Sequence, residues 1–473
     1  MQYTKMVNGA NIKKAYYYLK KNGIKKTSYA VCERIFQKNR SQYCYAPISE
    51  KERIRQENTA WGNPIYFSVV VPMYETDQRF AKEMIESVLG QTYPFFELIL
   101  ADASKTEQVS CVVRSFSDKR IKYFRLEENK GISENSNEAI ARAGGDYIAL
   151  LDHDDLLTPD ALYENAKLIL DRKAAGLETA YVYSDEDKLA EDSKTYYDPN
   201  VKTEFNFDLL LSNNYICHLL VMKTELMKKL GFRKEFDGAQ DFDLILRATA
   251  ETLDADKSGE QTICHISKVL YHWRCHRLST AANPQSKLYA YDAGKRAVED
   301  YLAKHGIKGQ VSHTSHNGFY RVEYGDKNNP WKDLFRQRKD IGALAGPIYE
   351  KNKITGGIYN KDGRCLYEGL RKGYSGYLHR ASLHQDAEMI DIRNVVVNPD
   401  ILETVINTIE NKQLKEDLIT KNLLENLRNS KITLSEREMF EANCLLSNTI
   451  RDLGYKLYYD PEFTQEAGKG VLL

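Results

Sequence analysis

The feature that most constrains this chain is a run of alternations between Tyr66 and Leu151. Four apolar stretches, YFSVVVPMY (66–74), FELILADAS (96–104), IKYFRL (121–126) and DYIALL (146–151), are separated by segments of helical pattern, one reaching Leu89 and another starting near Ser133. Strands covered on both faces read as near-continuous aliphatic runs, so the pattern predicts an α/β fold with a parallel sheet and helices on both sides. Ligands of such sheets bind outside the carboxyl ends of the strands. The polar residues at those ends are Tyr74, Glu75 and Asp77 after the first strand, Asp102 and Ser104 after the second, and Asp152 to Asp155 after the last.

Three acids in DHDDLL call for a cause, because crowded carboxylates repel unless a cation offsets them. Hard carboxylate oxygens are what Mg2+ or Mn2+ take, in company with substrate phosphates. Alternation along an extended strand end would point Asp152 and Asp154 to one side. A single acid there fits a simpler role, favouring the dipole of the helix that begins near Thr158-Pro159-Asp160; three do not.

Other segments carry weaker signals. Asp241, in FDGAQDFDLILRA, stands at an apparent helix start and can serve as a general base if a substrate hydroxyl reaches it; spacing alone favours a cap, with Asp243 solvated. In YHWRCHRLST (271–280), His272 and His276 are candidate metal ligands and Arg274 a cationic contact for a diphosphate. In ENKGISENSNEAI (128–140), Gly131 precedes a helix whose expected N-cap is Ser133, with backbone N–H groups suited to an anion. A capped helix accounts for the same pattern. Beyond Tyr181, YVYSDEDKL reads as a strand running into an acidic loop, NYICHLLVMK (214–223) as a strand, DFDLILRATAE (241–251) as a helix and HISKVLYHWRCH (265–276) as a strand.

Several classes are disfavoured. No GxGxxG follows the first strand, which argues against hydride transfer, and no Walker lysine-serine pattern follows Gly131. Lys+Arg and Asp+Glu both total 67, so charge gives no argument for a nucleic-acid partner. The eight cysteines show no CxxC spacing and fit a reducing cytosol. No apolar run approaches the roughly 18 residues of a membrane span. The first forty residues hold ten Lys/Arg against one acid, Glu33, interleaved with aromatic and aliphatic residues. That suits either a basic helix at the inner face of an anionic membrane or a solvated arm packed on the main domain.

Taken in order, SVVVPMYE (68–75), ESVLGQTYPFFELILADAS (86–104), NKGISENSNEAIARAGGDYIALLDHDDLL (129–157), SDEDKL (184–189), FDGAQDFDLILRA (236–248) and YHWRCHRLST (271–280) resemble the inverting nucleotide-sugar glycosyltransferases of family 2, over roughly residues 66 to 280. The resemblance implies the GT-A fold, a Rossmann-like mixed sheet flanked by helices. It also implies transfer from a nucleoside-diphosphate sugar to a glycan or lipid-linked acceptor in cell-surface polysaccharide synthesis, with Mn2+ or Mg2+. By the same resemblance Pro72, Tyr74, Glu75 and Asp102 would line the nucleotide pocket, and Lys130, Gly131 and Asn137 would lie near the donor. Asp152 and Asp154 would form the DxD-type motif, with Asp154 the direct ligand, Asp155 supporting and Asp152 also meeting the donor. Asp241 would be the base, and His276 would approach metal or diphosphate. The chain departs from the family at Gln240, where Glu is common.

The expected organisation is a basic helical segment over 1–64, a glycosyltransferase domain over 65–304 and a smaller α+β domain over 305–473. This last part resembles the acceptor half of a second, incomplete GT-A domain, with Glu441 and Asn443 where an Asp-x-Asp would fall, and is expected to bind acceptor or to mediate self-association. Two other readings compete: a non-catalytic sugar-nucleotide-binding scaffold subunit, kept open by Gln240, and a metal-dependent phosphatase, disfavoured because phosphatases of the haloacid dehalogenase type carry their acids after the first strand.

Overall fold

The computed structural model describes residues 9–38, 43–255, 259–276, 288–326, 331–411, 423–424 and 435–466. Lys5, Arg40, residues 277–280 of the YHWRCHRLST segment and much of the stretch after Asn411 lie outside them. The chain divides into two compact units. One comprises residues 42–205 and 214–301; the other comprises 1–41, 206–213 and 302–473.

In chain order the elements are α1 (Gly9–Lys38), α2 (Glu50–Glu57), β1 (Phe67–Met73), α3 (Gln78–Leu89), β2 (Phe96–Asp102), α4 (Gln108–Arg114), β3 (Ile121–Arg125), α5 (Ile132–Ala141), β4 (Tyr147–Leu150), β5 (Leu156–Leu157) and α6 (Ala161–Ala174). They continue with β6 (Tyr181–Ala190), β7 (Tyr196–Asn200), α7 (Phe207–Ser212), β8 (Leu220–Lys223), α8 (Thr224–Leu230), α9 (Gln240–Ala255), β9 (Ile263–Cys275) and α10 (Leu288–Lys304). The larger sheet runs β3-β2-β1-β4-β8-β6-β9-β5, with β7 on β6. Pairing is parallel from β3 to β4, in register Val69↔Leu98 and Val69↔Ala149, and turns antiparallel at β8. The sheet is therefore mixed, as the GT-A arrangement requires.

Why these strands form is visible in their burial. Phe67, Val69 and Val71 of β1, with Phe96, Leu98 and Leu100 of β2, enter one core with Ala81, Met84, Ile85 and Val88 of α3. Helix α3 presents those residues at helical spacing and is capped by Asp77, whose carboxylate accepts from the Arg79 N–H at 2.9 Å. Gly145 turns the chain from α5 into β4 where no side chain fits: a Cβ there would stand 2.5 Å from the Tyr66 carbonyl.

The structure corrects four expectations in this unit. The acids of SDEDKL are not in a loop; β6 runs on to Ala190, and Asp185, Glu186 and Asp187 are buried within it, each met by a cation or imidazole. The strand expected over 214–223 is only Leu220–Lys223, because Asn214 bends the preceding backbone by accepting the Cys217 N–H at 3.3 Å. Asp243 is buried rather than solvated, paired with Arg233 and Arg247. The N-cap of α5 is Gly131, at φ 100°, and Ser133 donates instead to Asp237 at 2.5 Å.

The second unit is α+β. A four-stranded sheet of Gln385–Ala387, Lys456–Tyr459, Ile341–Ala345 and Val395–Val397, in that order, is covered by the helices Leu402–Asn411 and Glu436–Asp452. Glu441 and Asn443 lie on the second of those helices, not at a strand end, and Asn443 accepts the Ile392 N–H at 2.9 Å. Helix α1 breaks at Gly23 (φ 76°) and joins this unit through Lys21 to Asn317 (2.8 Å) and Glu33 to Ser375 (3.0 Å). Tyr16, Ile24 and Val31 are all exposed, as are Lys20 and Lys25, so its apolar and charged residues share the solvent-facing surface.

Candidate active site

Strand β4 stops at Leu150, and the next residues form a turn in which the Asp155 N–H donates to the Asp152 carbonyl at 3.2 Å. The extended end that would align Asp152 with Asp154 does not form; the turn aligns Asp152 with Asp155. Oxygens of Asp152 and Asp155 and a ring nitrogen of His218 lie within 4.8 Å of one another, and Asp152 stands 3.9 Å from His218 Nε2. Asp154 pairs with His276 Nε2 at 2.9 Å, and the two histidines His276 and His153 hold its carboxyl below the usual range in spite of burial.

Asp155 is buried, and its two oxygens are engaged by the Tyr271 hydroxyl (2.5 Å) and the Arg274 N–H (2.6 Å). Burial, with Asp154 and Asp152 beside it, pushes its carboxyl well above the ordinary range, so this is a site that gains by a cation. Two carboxylates and one imidazole suit Mn2+, which tolerates nitrogen better than Mg2+ does. The residues present thus fit the divalent ion that the fold implies.

His218 was not singled out by its sequence. Its Nδ1 faces Glu186 at 3.1 Å, and its ring stacks on Tyr271 at 4.6 Å with 9° between planes. Burial alone would lower its pKa; the Glu186 carboxylate opposes that and raises it. The neighbouring Cys217 links it to Asp241: the sulfur lies 3.3 Å from His218 Nε2, and the thiol, pushed up to about 12 by burial, donates to Asp241 Oδ2 at 3.3 Å. Asn214 donates to the same oxygen at 2.9 Å. One short segment, 214–218, therefore touches both the acid at the start of α9 and the carboxylate cluster.

The remaining predicted residues divide by what occupies them. Pro72 is half-buried in β1 and Tyr74 is exposed beyond it. Glu75 accepts from the Lys105 N–H (2.7 Å) and the Thr106 hydroxyl (2.8 Å), and Asp102 from the Ser104 N–H (2.8 Å) and the Tyr123 hydroxyl (2.7 Å), which knits the ends of β1 and β2 together. Lys130 and Asn137 border an open groove of about 780 Å3 with Glu134, Glu138 and Lys234. Asn137 is a strut of its wall, donating to the Phe232 carbonyl (2.9 Å) and accepting its N–H (2.7 Å). The N–H groups of Lys130 and Gly131 donate to Asn135 (3.2 Å) and Asn129 (3.0 Å).

Two residues of the YHWRCH segment are placed otherwise than expected. His272 is buried against Asp187 at 2.6 Å. Arg274 is fully buried and cannot meet a diphosphate: it donates to the Asp154 carbonyl (2.5 Å) and Ser193 (2.5 Å), pairs with Glu83 (2.7 Å) and covers Phe80. It props the acidic turn from behind.

Residues 68–231 match the model of glycosyl transferase family 2. An uncharacterized protein of Sinorhizobium fredii is 44% identical over 241 residues, 50% of this chain and 25% of that protein. A protein of Escherichia coli K12 that bears the name of a colanic acid biosynthesis glycosyl transferase is 30% identical over 214 residues, 44% of this chain and 74% of its own. The crystal structure of Staphylococcus aureus TarS 1-349 in complex with UDP-GlcNAc aligns over 82% of this chain and 92% of its own, at 14% identity and a TM-score of 0.41. The chain spans about a quarter or less of the length of the first curated relatives it matches. With the mixed sheet, the acidic turn at its edge and a relative 30% identical across 74% of its length, the chain belongs to glycosyl transferase family 2.

Proposed function

We propose that residues 65–304 form a metal-dependent inverting glycosyltransferase that moves a sugar from a nucleoside-diphosphate sugar to a glycan or lipid-linked acceptor in cell-surface polysaccharide synthesis. The observation that carries this reading is the link Asp241–Cys217–His218 to Asp152 and Asp155, which holds the Asp241 carboxylate beside a cluster fitted for a cation. Asp152, Asp155 and His218 would hold Mn2+ or Mg2+, with Asp154 and His276 flanking it; when bound, the ion offsets charge on the departing diphosphate.

The protein's own residues supply the rest. Pro72, Tyr74, Glu75 and Asp102, at the ends of β1 and β2, face the nucleotide. Lys130 and Gly131 lie toward the donor, with Asn137 fixing their wall. Asp241 takes the acceptor hydroxyl proton as the oxygen bonds to the anomeric carbon and the bond from that carbon to the phosphate oxygen breaks on the opposite face, giving inversion. Its donors Asn214 and Cys217 keep the carboxylate aimed.

The test is nucleoside diphosphate release across a panel of sugar nucleotides with Mn2+. Release with one donor, lost in Asp154→Ala and Asp241→Asn, supports the reading. Donor binding without turnover, even with membrane extract as acceptor source, transfers support to the scaffold role.

A further inference from the structure

Lys202 and Glu186 form an ion pair at 3.4 Å whose side chains are 0% and 8% exposed. Such a pair is a weak source of stability, since desolvation of two charges consumes most of the attraction. Its other contacts show where it acts. Lys202 Nζ donates to the carbonyls of Ile216 (2.6 Å) and His218, and Glu186 accepts from His218 Nδ1 at 3.1 Å, steadied by Asn200 at 3.0 Å. The lysine thus holds the backbone of His218 and the glutamate holds its ring.

We propose that Glu186 and Lys202 are a positioning pair that sets His218 for a divalent cation. With Nδ1 donating to Glu186, Nε2 is the ring nitrogen turned toward Asp152 (3.9 Å). Outer partners of this kind fix the tautomer and orientation of a ligating imidazole. Neither residue touches the reacting atoms. The inference rests on the cation site proposed above, and the closing experiment separates the two.

The probe is Mn2+ alone, titrated into the full chain and read by the electron paramagnetic resonance of the free ion, with circular dichroism confirming the fold. Glu186→Leu is expected to weaken Mn2+ binding about 10- to 100-fold, the usual effect of deleting an outer partner. Glu186→Gln, which keeps a carbonyl acceptor for Nδ1, should stay within about threefold. Should the leucine variant not fold, Glu186→Gln with Lys202→Met removes both charges together, and about a tenfold loss is expected from the freed carbonyls. A folded leucine or double variant with wild-type Mn2+ affinity, while His218→Ala and Asp152→Ala lose it, overturns the positioning role and leaves the cation site standing. Unchanged binding in His218→Ala and Asp152→Ala overturns both.

Discussion

Replacing Arg274 with Met tests whether the acidic turn is propped from behind. Methionine keeps apolar bulk over Phe80 and removes three polar contacts: to the Asp154 carbonyl, to Ser193 and to Glu83. Hydrogen bonds from a charged donor contribute about 1.5–3 kcal/mol each, and breaking a buried pair costs about 3–5 kcal/mol. Glu83 is 26% exposed and recovers some hydration, which points to a net loss of about 4 kcal/mol. The assay is urea unfolding followed by tryptophan fluorescence in a Trp331→Phe background, so that Trp61 and Trp273 report only the unit that holds the site. At an m-value of roughly 2 kcal/mol/M the midpoint should fall by about 2 M, with m unchanged. A second reading follows from the same geometry: Mn2+ affinity should fall about tenfold because the turn loses its prop. A stability loss below about 1 kcal/mol would refute the argument, since it would mean that water satisfies the guanidinium's partners in the native state.

Gly145→Ala should cost about 3 kcal/mol, measured by the same unfolding assay, because its Cβ meets the backbone of Tyr66 and Ser68 at 2.5 and 2.7 Å and neither can retreat without breaking β1. Asp243→Asn should cost about 3 kcal/mol, since Arg233 and Arg247 lose their shared buried carboxylate. In the second unit, Arg338 holds Asp208 down at about 2 despite burial. A carboxylate depressed in the folded state stabilises it above its unfolded pKa near 3.9, and that stability is lost as pH falls through about 2. Trp331 fluorescence should therefore report acid unfolding between about pH 4 and 2, and Asp208→Asn should remove the part of that pH dependence that Asp208 supplies, leaving the part from Asp340 and Asp460, which are also held down.

The alternation from Tyr66 to Leu151 was legible because β1, β2 and β4 are buried on both faces, so side-chain identity and position agree. Asp152 to Asp155 stood out as a candidate site for the complementary reason: acids at the end of a core strand oppose the local pattern. His218 was hidden because it stands alone in a stretch that reads as apolar strand; the signal that could have exposed it is the polar pair Asn213-Asn214 just before it, a bend rather than a strand. The acids of β6 misled for the opposite reason. Their partners, His265, His272 and Lys202, come from other parts of the chain, and no local window holds both members of a pair. Asp243 escaped likewise, because Arg233 precedes it by more than two helical turns across a connection.

Two of the buried acids of β6 also set an order on synthesis. Asp185 waits for His265, 80 residues later, and Asp187 for His272, 85 residues later. While a ribosome is still making that stretch, β6 has an edge that can be hydrated but not buried, because a carboxylate without its partner resists leaving water. Tyr181–Tyr183 can pair with β8 earlier, but the acidic half of the strand is covered only after β9 emerges, which makes this parallel pairing a late, long-range event. Fragments ending before Ile263 should accordingly keep β6 open to proteases, and separate production of a shortened catalytic unit needs to carry the chain through Cys275.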